Sequence, residues 1–119
     1  MLISTHFQKF FFGVVCPQLK EKAIYPLRYQ HPLTKDWYLI DLSKISDDGI
    51  YQLLKLVNPN YPKLNGLLPA STKVLTSKHL TEHIQWVERW AAENGIELPY
   101  IVDEWQRVLE SANIIKDKQ

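Results

Sequence analysis

SKHLTEHIQWVERWAAENGIELPYIVDEWQRVLESA, residues 77–112, holds two amphipathic segments separated by Gly95-Ile96-Glu97-Leu98-Pro99. In the second, Ile101, Trp105, Val108, Leu109 and Ala112 recur at i, i+4, i+7, i+8 and i+11. That is one stripe of a 3.6-residue helix, with Asp103, Gln106, Arg107 and Glu110 opposite. In the first, Leu80, Ile84, Val87 and Ala91 supply the core stripe, and His79, His83, Trp86 and Trp90 run beside it as a second, more polar one. Ser77 reads as the N-cap, Gly95 as the left-handed terminator, and Pro99 as the opening of the second helix. So short a connection favours antiparallel neighbours, and residues 77–115 are expected to form an αα-hairpin. Burying five side chains of the second helix is worth roughly 8 to 15 kcal/mol before ordering entropy is subtracted.

Upstream the period changes. From Lys9 to Val15, Phe10, Phe12 and Val14 alternate with Phe11 and Val15, a short aromatic and β-branched run that reads as a strand buried on both faces and stopped by Pro17. Alternation resumes from Ala23 to Tyr29, where Pro26 points to a sheet edge, and again from Trp37 to Leu42 after the turn His31 to Asp36. Residues 1–45 are therefore expected to be a three-stranded antiparallel meander. Ser46 with Asp47 and Asp48 then opens a helix over 46–57, whose stripe is Ile50, Leu53, Leu54 and Val57 and which Asn58-Pro59-Asn60-Tyr61-Pro62 ends. Residues 58–76 show no period and read as a long loop containing Tyr61, Leu64, Leu67 and Leu68, with room for a short element around Val74. The fold class expected is α+β in one domain over 1–119, the helical hairpin packed on the sheet.

Composition narrows the function. With 45% hydrophobic and 23% charged residues the chain has globular averages, which removes disordered, collagen-like and coiled-coil classes. Aromatic residues at 12% are in surplus, and such side chains either fill a core or anchor a recognition surface. A net charge of +1 gives no whole-chain field for nucleic acid or anionic lipid. Locally, residues 1–36 carry Lys9, Lys20, Lys22, Arg28 and Lys35 against Glu21 and Asp36, whereas 77–112 carry three basic and seven acidic residues. Cys16 is the only cysteine, so an intrachain disulfide is impossible, and an inert buried thiol in a reducing compartment is expected. The run Phe10 to Cys16 lacks the length, basic flank and cleavage site of a signal peptide, and no apolar stretch reaches membrane-spanning length. These points predict a cytoplasmic protein with no membrane association.

One short motif bears on chemistry. His79-Leu80-Thr81-Glu82-His83 resembles the zinc-binding helix of the pitrilysin-type metallopeptidases over five residues. The resemblance implies zinc on His79 and His83 with Glu82 as general base, and Glu104 or Glu110 would have to supply a third ligand. Two histidines one turn apart beside tryptophans also read as a partly buried aromatic stripe, and that reading is adopted, with no metal, cofactor or catalytic residue assigned. A glycine-rich phosphate loop is missing from a chain with four glycines, nothing orients Cys16 with His6 or His31, and Asp47-Asp48 is helix-start chemistry.

A helix needs one stripe for its core, so a second aromatic stripe must meet the rest of the domain or another molecule. The expected function is a small non-catalytic protein-binding module, an adaptor, inhibitor or immunity-type protein acting by occupying a partner's surface. The expected contacts are Trp86, Trp90, His79, His83, Tyr61 and Leu67. Two alternatives stand beside it: a nucleic-acid-associated subunit using a basic N-terminal sheet face, and a small zinc-dependent hydrolase built on the H-x-x-E-H helix.

Overall fold

In the computed structural model, which describes residues 2–66 and 68–112, the chain is α+β, helices with short antiparallel strands. It opens with helix, not strand. α1 (Ile3–Phe10) runs through a π-helical turn (Phe11–Val15) into α2 (Cys16–Lys22). The buried residues Phe7, Phe10, Phe11, Val15, Cys16 and Leu19 recur every three to four positions, whereas Phe12 and Val14 are only half-buried and Gly13 is exposed. A run apolar at nearly every position fits period two and period 3.6 alike, and packing chose the helix. Pro17, expected to end the segment, sits inside it. A proline lacks the amide hydrogen and crowds the carbonyl four residues back. Here the wider turn lies just ahead of it, closed by the bond from Cys16 N–H to the Phe11 carbonyl.

The expected meander is accordingly reduced to a hairpin. β1 (Leu27–Gln30) pairs antiparallel with β2 (Trp37–Ile40) in the register Leu27↔Ile40, Arg28↔Leu39, Tyr29↔Tyr38 and Gln30↔Trp37. The turn between them is pinned by His31, whose N–H donates to the Asp36 carbonyl (2.9 Å) and whose Nδ1 accepts from the amides of Leu33 and Thr34. Lys35 takes the left-handed conformation there, at φ 67°.

α3 (Asp47–Val57) starts where the cap predicts: the Ser46 hydroxyl accepts from Gly49 N–H at 3.0 Å, with Asp47 and Asp48 in the first turn. Gly49 is more than a weak helix former, since a Cβ there would lie 2.6 Å from Ile45 Cγ2. The stretch expected to be a loop contains a two-residue ladder, β3 (Lys63–Leu64) with β4 (Leu68–Pro69), and a 3₁₀ turn at Thr72–Val74. Tyr61 anchors it from inside, its hydroxyl donating to the Ala70 carbonyl at 2.9 Å.

α4 (Ser77–Glu93) is capped by Thr76, one residue earlier than expected. Thr76 Oγ1 accepts from His79 N–H and His79 Nδ1 accepts from Thr76 N–H, a reciprocal capping box in which His79 replaces the usual Glu or Gln. Gly95 at φ 77° leads the chain away from the helix, and α5 (Ile101–Ser111) begins after Tyr100, itself left-handed at φ 72°. α5 lies against α4, where the Trp105 indole donates to Thr81 Oγ1 at 2.9 Å. Its apolar stripe faces α1 and not the sheet: the Trp105 ring packs 5.5 Å from Phe7 and 5.5 Å from Phe10. The core thus sits among α1, α3, α4 and α5, with the β-hairpin at its margin.

Candidate functional site

The hairpin is tied to α4 at one point. Arg28 N–H donates to Asn94 Oδ1 (2.7 Å), and the Arg28 carbonyl accepts from the Trp90 indole (2.9 Å) and from Asn94 Nδ2 (3.1 Å). Between hairpin and helix this leaves a cleft of about 240 Å³, walled by Tyr29 and Trp37 on one side and Trp86, Arg89, Trp90 and Asn94 on the other. A second concavity of about 260 Å³ continues along α4 toward Tyr61, and the two share Trp86 and Arg89.

The aromatic wall is one column of stacked rings. His83, Trp86 and Trp90 stand at i, i+3 and i+7 on α4, with His83 and Trp86 6.1 Å apart at 6° and Trp86 and Trp90 6.1 Å apart at 13°. Phe11 extends the column into the core, 6.4 Å from His83 at 10°. Exposure therefore changes along it: His83 and Trp90 are buried, and Trp86 is half-buried and faces both concavities.

Charge is uneven across the cleft. Arg28, Lys35 and Arg89 line it against the single acid Glu93. Arg28 lays its guanidinium 5.2 Å from the Trp37 ring centre. Among the described residues the sole ion pair is Lys20 with Asp47 at 2.8 Å, so none of the three cleft cations has a carboxylate within ion-pair distance there. A short aromatic-walled groove with uncompensated cations suits an anionic group carried next to a flat apolar one. No family model matches this chain, and neither a curated protein nor a solved structure matches it.

The residues expected to meet a partner divide. Trp86, His79, His83 and Tyr61 all border the second concavity, but Tyr61 and His83 are buried and His79 is engaged in the α4 cap. Trp90 is a structural clamp that also borders the cleft. Leu67 lies outside the described residues. His79 and His83, paired by the zinc-helix resemblance, have separate environments. His83 Nδ1 faces Asn58 Nδ2 at 2.9 Å, and because Asn58 Oδ1 already accepts from Asn60 N–H (2.9 Å), the amide must present its NH₂ to the imidazole. The His83 proton therefore sits on Nε2, which is buried without a hydrogen-bond partner among the described residues. Burial, with Lys55 and Lys63 nearby, pushes the imidazole down to about 3, so it is neutral at neutral pH. Among the described residues no three His, Cys, Asp or Glu side chains gather as a metal site, and no helix is long and apolar enough to cross a membrane.

Sequence reasoning missed Trp37, Arg89 and Asn94. None of the three carries a local signal, because their meeting depends on where the hairpin docks. The basic N-terminal face anticipated for nucleic acid is dispersed: Lys20 pairs with Asp47, Lys22 donates to the Glu97 carbonyl, and Arg28 and Lys35 reach the cleft.

Proposed function

We propose that this chain is a non-catalytic protein-binding module, of adaptor, inhibitor or immunity type, which acts by seating part of a partner's surface in the cleft between the β-hairpin and α4. The reading is carried by Arg28, Lys35 and Arg89, which stand around Trp86 and Trp37 with no ion-pair partner among the described residues. Trp86 is half-buried and Trp37 is 59% exposed, and tryptophan and arginine are the residues most often found where binding energy concentrates. The matching partner surface presents a carboxylate beside an aromatic or aliphatic side chain.

The test compares quantitative affinity capture from the native host by wild type, Trp86→Ala and Arg89→Glu, followed by titration with the purified captured protein. Each substitution is expected to weaken binding by about tenfold or more while the fold is kept. A partner held equally by all three removes the cleft from the function. A second reading draws on the same cations: Arg28, Lys35 and Trp37 would also suit a phosphate beside a stacked base. Binding of single-stranded oligonucleotide that weakens steeply with salt would favour that reading over the first.

A further inference from the structure

The two edges of the β-hairpin are not equivalent. On the outer edge of β1 the amide and carbonyl of Arg28 are taken by Asn94 and Trp90. Because Arg28 turns both groups away from β2, Arg28↔Leu39 is a non-hydrogen-bonded pair of the ladder, and by alternation so is Gln30↔Trp37. Leu39 and Trp37 therefore direct their own amides and carbonyls to the far side of β2. Among the described residues nothing takes them. The strand Trp37-Tyr38-Leu39-Ile40 has no lysine, proline, glycine or bulge to blunt this edge. Its side chains are open as well, Leu39 at 69%, Trp37 at 59% and Tyr38 at 44% exposure.

We propose that a second copy of this chain pairs on the free edge, β2 antiparallel to β2, about a two-fold axis at Tyr38. Trp37 then exchanges main-chain hydrogen bonds with Leu39 of the second copy and Leu39 with its Trp37, joining the two hairpins into one continuous sheet. Opposed residues share a face of a sheet. Leu39 of each copy covers Trp37 of the other on the outer face, and the two Tyr38 rings meet on the face where Tyr29 and Tyr38 already stack at 5.6 Å.

Charge selects the register. Just past the strand ends, pairing about Tyr38 brings Lys35 opposite Asp41 of the second copy, twice by symmetry. Sliding by one step of the ladder in one direction sets Leu39 against Lys35, and sliding in the other sets Trp37 against Asp41. The central register alone sets Trp37 against Leu39 and Lys35 toward Asp41; it also sets Ile40 against Asp36. Trp37 and Lys35 belong both to the contact and to the wall of the cleft, whereas Trp86 and Arg89, the residues substituted to test the cleft, lie outside the contact.

The experiment is sedimentation equilibrium of the full chain from about 1 µM to about 1 mM, a range suited to a small, strand-sized interface. The mass is expected to rise twofold with concentration. Leu39→Pro deletes an outward amide and leaves the ladder to β1 intact, and Leu39→Lys places a charge on the edge. Both should stay monomeric with the circular dichroism spectrum of wild type. Tyr38→Cys puts two thiols across the axis at a separation a disulfide spans, so mild oxidation should cross-link it far faster than Leu33→Cys in the exposed turn. Cys16 is buried and does not compete. A wild type monomeric throughout the range, a dimer that survives both Leu39 substitutions, or equal cross-linking of the two cysteine variants each overturns the proposal.

Discussion

The Trp90 indole donates to the Arg28 carbonyl at 2.9 Å, across 62 positions of sequence, and with Asn94 it holds the β-hairpin on α4. Trp90 and Trp86 lie one helical turn apart, stack on each other, and yet have different duties. Trp90 closes the joint, and Trp86 faces the cleft.

That difference is measurable. Trp90→Ala removes a buried ring and its bond and is expected to lower stability by about 3 to 5 kcal/mol. Trp90→Phe keeps much of the packing, and because Asn94 still satisfies the Arg28 carbonyl it should lose only about 0.5 to 1.5 kcal/mol. Trp86→Ala should fall well short of the Trp90→Ala loss. Urea midpoints of the three variants decide the matter, and equal losses at 86 and 90 would contradict the assigned roles.

His83 sets an acid limit. Its folded value lies at about 3 against an ordinary 6.5, so as pH falls the unfolded chain takes up the proton first. The stabilisation is complete above about pH 6.5 and is lost toward pH 3, with a slope of up to about 1.4 kcal/mol per pH unit from this group. Replacing His83 by Phe, which suits a slot between Phe11 and Trp86, should flatten the pH dependence of unfolding between those limits. An unchanged slope in His83→Phe would show that another group governs it.

Cys16 should be inert. It is fully buried, its Sγ–H points at the Asp47 carbonyl (3.8 Å), and desolvation, then Asp47, push the thiol up to about 12. Labelling by a thiol-specific reagent at neutral pH is expected to proceed only through unfolding, so its rate should rise in step with the unfolded fraction in urea. Rapid labelling of the native protein would disprove this.

The α4 cap separates two neighbouring residues. Thr76→Ala should cost about 1 kcal/mol by freeing the His79 amide, whereas Ser77→Ala, at the first helical position, should lose no cap. The reverse order in denaturant midpoints would return the cap to Ser77.

The 3.6-residue period of 77–112, the cap at Ser46, the left-handed Gly95 and the stop after Val57 were legible because each is local: a few adjacent side chains and the hydrogen-bonding needs of one helix end decide them. The N-terminal helix was not. Phe10 to Val15 is apolar at so many successive positions that alternation and helical spacing fit it equally, and only the rings of Tyr51, His83 and Trp105 packed around Phe7, Phe10 and Phe11 make the helix the better burial. The candidate site was half legible, since the stripe His83, Trp86, Trp90 follows from spacing but which member is clamp, core or wall does not.

By itself, then, the order of residues determined where the C-terminal helices run and which of their faces are apolar, as nearest-neighbour geometry requires. Tertiary structure alone decided that Arg28, Lys35 and Arg89 share one cleft and that β2 keeps an open edge. Those outcomes depend on a joint between Arg28 and Trp90 whose partners are remote in sequence, and no local pattern encodes such a contact.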